Sequence, residues 1–148
     1  MFAPAVFEAV PSPKSLGALL LAAVMISPTA VASEDTAVTM LAKIDSASIK
    51  KGKARAAVCR GCHKVKKGQE GGMGPNLWNL FNREKASQEG YKYTQAMQQA
   101  GGKWDAHSLD QFLTKPSKFL PGTRMTFGGI KREKDRLNVI AYLRTLSD

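Results

Sequence analysis

Cys59-Arg60-Gly61-Cys62-His63 sets two thiols three positions apart and an imidazole directly after the second. The run uses both cysteines of the chain. This is the attachment pattern of a c-type haem, in which each thiol forms a thioether to a vinyl group and the adjacent imidazole reaches the iron. Two other chemistries use the same residue types. A C-x-x-C pair in an exported chain also reads as a thiol–disulfide exchange site, a reading that expects strands alternating with helices; few strand patterns are present here. Structural zinc takes four ligands at tight paired spacings, and the only other histidine, His107, lies far downstream. Haem attachment leads.

The N-terminal part reads as an address, not as fold. Leu16 to Ile26 is an unbroken small and apolar run, Ser27-Pro28 breaks it, and Ala30-Val31-Ala32 offers a small-residue cleavage pattern. That order is a secretory signal peptide over residues 1–32, with an uncleaved membrane anchor as the alternative. The apolar run is short of the roughly 20 residues a spanning helix needs. Residues 1–32 hold one lysine, Lys14, and one glutamate, Glu8, so the net charge of +10 belongs to residues 33–148.

Residues 33–45 read as a linker or loosely packed N-terminal arm, and 46–148 as one domain. Ile49 to Arg60 can be helical behind the capping residues Asp45 to Ser48, delivering Cys59 into a turn. Lys64 to Gly74, with four glycines and three lysines, is a loop. Thr94 caps a short helix to Ala100, and Asp105 caps another, Ala106 to Lys115. In the latter, Leu109, Phe112 and Leu113 form a buried stripe. Pro116 ends it. Lys131 to Leu146 is the clearest helix, with Leu137, Ile140, Leu143 and Leu146 at helical spacing. The class is all-α with long loops.

An iron held by His63 needs a second axial ligand or an open position. Met1 and Met25 fall in the signal, Met40 in the arm, and Met73 is close to His63 in sequence. Met97 and Met125 remain. Met97 sits in a helical stretch, where methionine is commonly core packing. Met125 sits in the Pro/Gly-rich loop Pro121-Gly122-Thr123-Arg124-Met125. Spacing favours Met125 and leaves Met97 open.

Further motifs run in order along the chain: Cys59-x-x-Cys62-His63, Gly74-Pro75-Asn76-Leu77, Tyr91 and Tyr93, Trp104, Pro116, Pro121-Gly122-Thr123-x-Met125-x-Phe127 and Ala141-Tyr142-Leu143. From Gly52 to Leu146 the chain resembles class I cytochrome c of the mitochondrial and alphaproteobacterial kind. The resemblance implies a small cytochrome c fold around one haem c, attached through Cys59 and Cys62. It implies His63 as proximal ligand, with its ring proton given to the Pro75 carbonyl, and Met125 as distal ligand. It also places Tyr93, Trp104 and Arg83 at one haem propionate and Thr123 at the other. Three positions depart from the family. Phe112 stands where a tyrosine is common, and Met97 where an asparagine often helps hold a buried water. Ala56 or Arg55 replaces an aromatic, so packing against Tyr142 should be looser.

Two strong axial ligands leave no substrate position, and a His/Met pair raises the reduction potential. The expected function is therefore single-electron transfer by a soluble, monomeric periplasmic carrier, not catalysis. A haem enzyme or gas-binding sensor with an open distal site is the alternative. By resemblance the donor would be a quinol–cytochrome c reductase and the acceptor a terminal oxidase; acidic surfaces of soluble dehydrogenases are further partners. Lys64, Lys66, Lys67, Lys115, Lys118 and Arg124 flank the two haem-edge loops and would steer docking to acidic partners. Nucleic acid is not an expected partner, because no recognition motif is present and export argues against it.

Overall fold

The computed structural model describes residues 31–148. The expected signal segment, with its cleavage-or-anchor alternative, lies outside the described residues apart from Val31 and Ala32. All regular elements among the described residues are helical: α1 Val31–Asp45, α2 Ile49–Arg55, a 3-10 segment Ala56–Gly61, α3 Gln95–Gln99, α4 Ala106–Thr114, α5 Pro116–Phe119 and α6 Glu133–Arg144. The extended contact among them is an isolated bridge between Glu84 and Lys103. Among these residues no helix is long and apolar enough to cross a membrane.

The core is built around α6. Val139 and Ile140 are fully buried, and Leu137, Tyr142 and Leu143 are nearly so. Burying a side chain of that size contributes about 1.5–3 kcal/mol. Glu133 and Asp135 in the first turn and Arg144 in the last turn complement the helix dipole. α4 lays Leu109, Phe112 and Leu113 on the same core. Its start is fixed by Asp105, whose carboxylate accepts the Ser108 amide at 2.7 Å. Thr94 caps α3 in the same way, accepting the Met97 amide at 3.2 Å.

Two stretches differ from the sequence expectation. Residues 33–45, expected as a linker or arm, are helical. Ile44 is 2% exposed within the core, and ion pairs tie the end of α1 to both ends of α6: Lys43 to Glu133 at 2.9 Å and Asp45 to Arg144 at 2.8 Å. Tertiary contact at one end stabilises this helix, which lacks a continuous buried stripe. Pro116 does end α4, but it also opens α5, because its fixed φ suits a first helical position.

α2 crosses α6 at Gly52. A Cβ built there would lie 1.8 Å from the Asn138 carbonyl oxygen and 3.0 Å from the Tyr142 Cβ. Ser48 pins the start of α2 to the same residue, its amide donating to Asn138 Oδ1 at 2.7 Å. Ala56 takes the buried position of the missing aromatic, and Arg55 is exposed. The crossing is thus set by backbone proximity at Gly52. Gly52→Ala is expected to cost about 3 kcal/mol, the upper range for overpacking. Denaturant unfolding monitored by far-UV circular dichroism checks this; an unchanged midpoint would show that the helices separate freely.

Candidate functional site

The 3-10 segment delivers Cys59 to a tight turn. The Cys59 carbonyl accepts both the Cys62 amide at 3.1 Å and the His63 amide at 2.9 Å. Two thiols and one imidazole are thereby fixed on a single turn. Cys59 is half-buried, Cys62 is exposed, and the sulfurs are not bridged. Burial pushes the Cys59 thiol up.

His63 Nδ1 lies 2.7 Å from the Pro75 carbonyl oxygen. A carbonyl can only accept, so Nδ1 carries the proton and Nε2 keeps a free lone pair. Burial holds the imidazole below its ordinary value, opposed by the Pro75 bond, so the ring is neutral at pH 7. The fit around it is close. A Cβ on Gly74 would lie 2.3 Å from His63 Cε1 and 2.5 Å from Nδ1. The lysine-rich loop is anchored to the same turn by Gly74 donating to the Cys62 carbonyl at 2.9 Å and Leu77 to the Lys64 carbonyl at 2.8 Å. Asn76, 3% exposed, completes the anchor by donating to the Lys66 and Gln69 carbonyls at 2.8 and 2.7 Å. The sequence reading named Asn76 only within the Gly74-Pro75-Asn76-Leu77 motif and missed this role; its position directly after Gly-Pro was the available signal.

A second group gathers Arg83, Tyr93 and Trp104. Arg83 donates to the Trp78 and Asn76 carbonyls and to the Gln88 side chain, each at 2.9 Å. Its Nε is buried with no partner. Burial lowers the Arg83 guanidinium from its ordinary value, and the charge of Tyr93 nearby opposes this. Tyr93 is pushed up by burial, against the Gln88 backbone bond and the Arg83 charge. The Trp104 amide donates to the Arg83 carbonyl at 2.9 Å. Its buried ring packs on Phe112 with centroids 4.8 Å apart, and Phe112 packs in turn on Phe119 at 5.8 Å. Phe112, in the family's tyrosine position, is here part of an aromatic stack.

The third group is the methionine loop. The Thr123 hydroxyl accepts the Met125 amide at 3.2 Å, leaving its own proton to donate. Arg124 donates to the Lys92 carbonyl, which joins this loop to the segment carrying Tyr93. An open cavity of about 1080 Å³ runs between Met73, Arg83, Tyr91 and Arg124. Met125 and Met97 are both half-buried against the core, as are Val65, Phe119, Leu120 and Phe127.

These features fit a haem. Two unbridged thiols and a free imidazole lone pair share one turn. A buried guanidinium nitrogen lacks an acceptor, and several large apolar side chains are only half-covered.

Comparison with known proteins agrees. The family model for cytochrome c matches residues 49–147. A cytochrome c homolog of Rickettsia felis is 40% identical over 114 residues, covering 77% of this chain and 65% of the relative. The cytochrome c of Gibberella zeae is 45% identical over 86 residues, covering 58% of this chain and 81% of the relative. This chain spans just under two thirds of the length of its relatives from Rickettsia felis, Rickettsia prowazekii and Rickettsia conorii. Among solved structures, cytochrome cH from Methylobacterium extorquens superposes with a TM-score of 0.63 at 33% identity, covering 66% of this chain and 98% of that one. Motif, helical fold and likeness meet at the turn that carries both cysteines: the chain belongs to the cytochrome c family and binds one haem c covalently through Cys59 and Cys62.

Proposed function

We propose that this protein is a single-electron carrier in which His63 and Met125 would hold the haem iron. The neutral His63 ring, with Nδ1–H given to Pro75 and Nε2 left free, carries the reading. Bound haem c supplies a one-electron couple at iron. The chain's own residues do the rest. Pro75 orients the imidazole and raises its basicity. Arg83 Nε, with Tyr93 and Trp104 close by, would take one propionate. Thr123 would take the other. The apolar core excludes water and disfavours the more highly charged ferric form. Met125 would complete the ligand set of the bound iron and leave no position for a substrate, which suits a carrier and not an enzyme.

The carrier works in the periplasm, a reading supported by the export-type segment at residues 1–32. Its donor is a quinol–cytochrome c reductase and its acceptor a terminal oxidase or another redox protein with an acidic face. Lys64, Lys66, Lys67, Lys115, Lys118 and Arg124 are all exposed. Lys67 pairs with Asp148 at 2.5 Å, which leaves the other cations to dominate steering. Absorption spectra test the ligand set: a low-spin haem with a methionine–iron charge-transfer band is expected. High-spin haem with rapid carbon monoxide binding would point to an enzyme or gas sensor. Electron-transfer rates with an acidic redox partner should fall several-fold between low and physiological salt. Rates indifferent to ionic strength would remove the steering role.

A further inference from the structure

The backbone of the loop that carries Met125 is hydrogen-bonded to other backbone only at its two ends, while Arg124 reaches the Lys92 carbonyl and Met125 and Phe127 lie against the core. Among the described residues, no backbone–backbone hydrogen bond holds positions 124–129. At the near end, Leu120 donates to the Pro116 carbonyl at 2.9 Å and Thr123 to the Leu120 carbonyl at 3.1 Å. At the far end, Ile130 donates to the Leu113 carbonyl at 2.8 Å. There Gly129, at φ +93°, comes so close to α4 that a Cβ would lie 2.0 Å from the Thr114 carbonyl oxygen.

Arg136 of α6 locks this far end. Its Nη1 donates to the Ile130 carbonyl at 3.0 Å and to the Lys131 carbonyl at 2.8 Å. Its Nε and Nη2 meet the two carboxylate oxygens of Asp110 on α4, at 2.7 and 3.3 Å. Both side chains are nearly buried, at 10% and 15% exposure. A guanidinium placed only for surface charge would stay in water. This one spends its donors on two loop carbonyls and on one carboxylate that fixes its direction.

We infer that Arg136, oriented by Asp110, is a positioning residue for Met125: it fixes the far end of the loop and so sets how often the methionine leaves the iron. This role rests on Met125 being the distal ligand. Without Asp110 the fork loses its direction and the carbonyls of Ile130 and Lys131 lose a fixed donor. The loop then opens locally while α4 and α6 stay packed through their apolar faces.

The test is displacement of Met125 from the ferric holoprotein by saturating imidazole, followed as loss of the methionine–iron charge-transfer band. At saturation the rate reports release of the methionine. Asp110→Asn and Arg136→Lys are each expected to raise it roughly tenfold, equivalent to about 1.4 kcal/mol, as suits loss of a charge-assisted bond. Ile44→Val, which weakens the core at α1, should change it less than twofold. Rates unchanged in both clamp variants would overturn the inference, and so would an equal rise in Ile44→Val. A wild-type protein with no charge-transfer band would instead overturn the Met125 assignment, and the inference with it.

Discussion

Met125→Ala is expected to lower the reduction potential by on the order of 100 mV or more, a fraction of the ~0.8 V range that axial ligands set across haem proteins. A thioether is a soft donor that favours ferrous iron. Water or hydroxide in its place favours the ferric state. The alanine would also open the distal side, so ferrous protein should bind carbon monoxide rapidly and the charge-transfer band should vanish. The loop itself should survive, because its ends are held by α5, Leu113 and Arg136 and not by the methionine side chain. Met97→Ala is the control. Met97 packs half-buried against the core, so its loss should cost about 1 kcal/mol, below the range for a fully buried methionine, with the band intact. Redox titration with absorption spectra of both variants decides between the two sulfurs. Equal potentials for wild type and Met125→Ala would remove Met125 from the iron; a vanished band in Met97→Ala would move the ligand there.

The parts of this molecule legible in sequence are those whose chemistry is local. The Cys59–His63 run declares itself because attachment needs both thiols and the imidazole on one turn. Helix α4 is legible because Asp105 caps it and Leu109, Phe112 and Leu113 repeat on one face. Helix α1 is not, because Val38 and Leu41 are exposed and its end is held by the burial of Ile44 and by ion pairs to residues 90 and 99 positions away. The start of α5 is hidden because one proline both stops a helix and opens the next. The Arg136–Asp110 clamp joins two helices 26 positions apart; nothing at either residue marks the other. Resemblance supplies the roles of Pro75 and Arg83, and the geometry adds the physical reason: a fixed imidazole proton and an unpartnered guanidinium nitrogen.

The turn that makes the sequence readable also tolerates little added volume beside it. Gly74→Ala would put a methyl group 2.3 Å from His63 Cε1, 2.5 Å from Nδ1 and 2.7 Å from Nε2. No rotamer change in alanine can relieve this, so either the imidazole or the backbone must move. The backbone is held on both sides: Gly74 donates to the Cys62 carbonyl and accepts from Gly72, each at 2.9 Å. The ring is therefore expected to give way, breaking its 2.7 Å bond to Pro75 and losing the tautomer that leaves Nε2 free. The cysteines are untouched, so covalent attachment can still proceed. What fails is axial ligation, on which the low-spin state depends. Gly74→Ala should yield haem-stained protein with a high-spin spectrum, a much lower melting temperature and little stable ferrous form. Haem staining of a denaturing gel, read beside the absorption spectrum, separates the two steps. A low-spin spectrum with unchanged potential would mean that His63 tolerates the methyl group and that the imidazole is not held as tightly as these distances require.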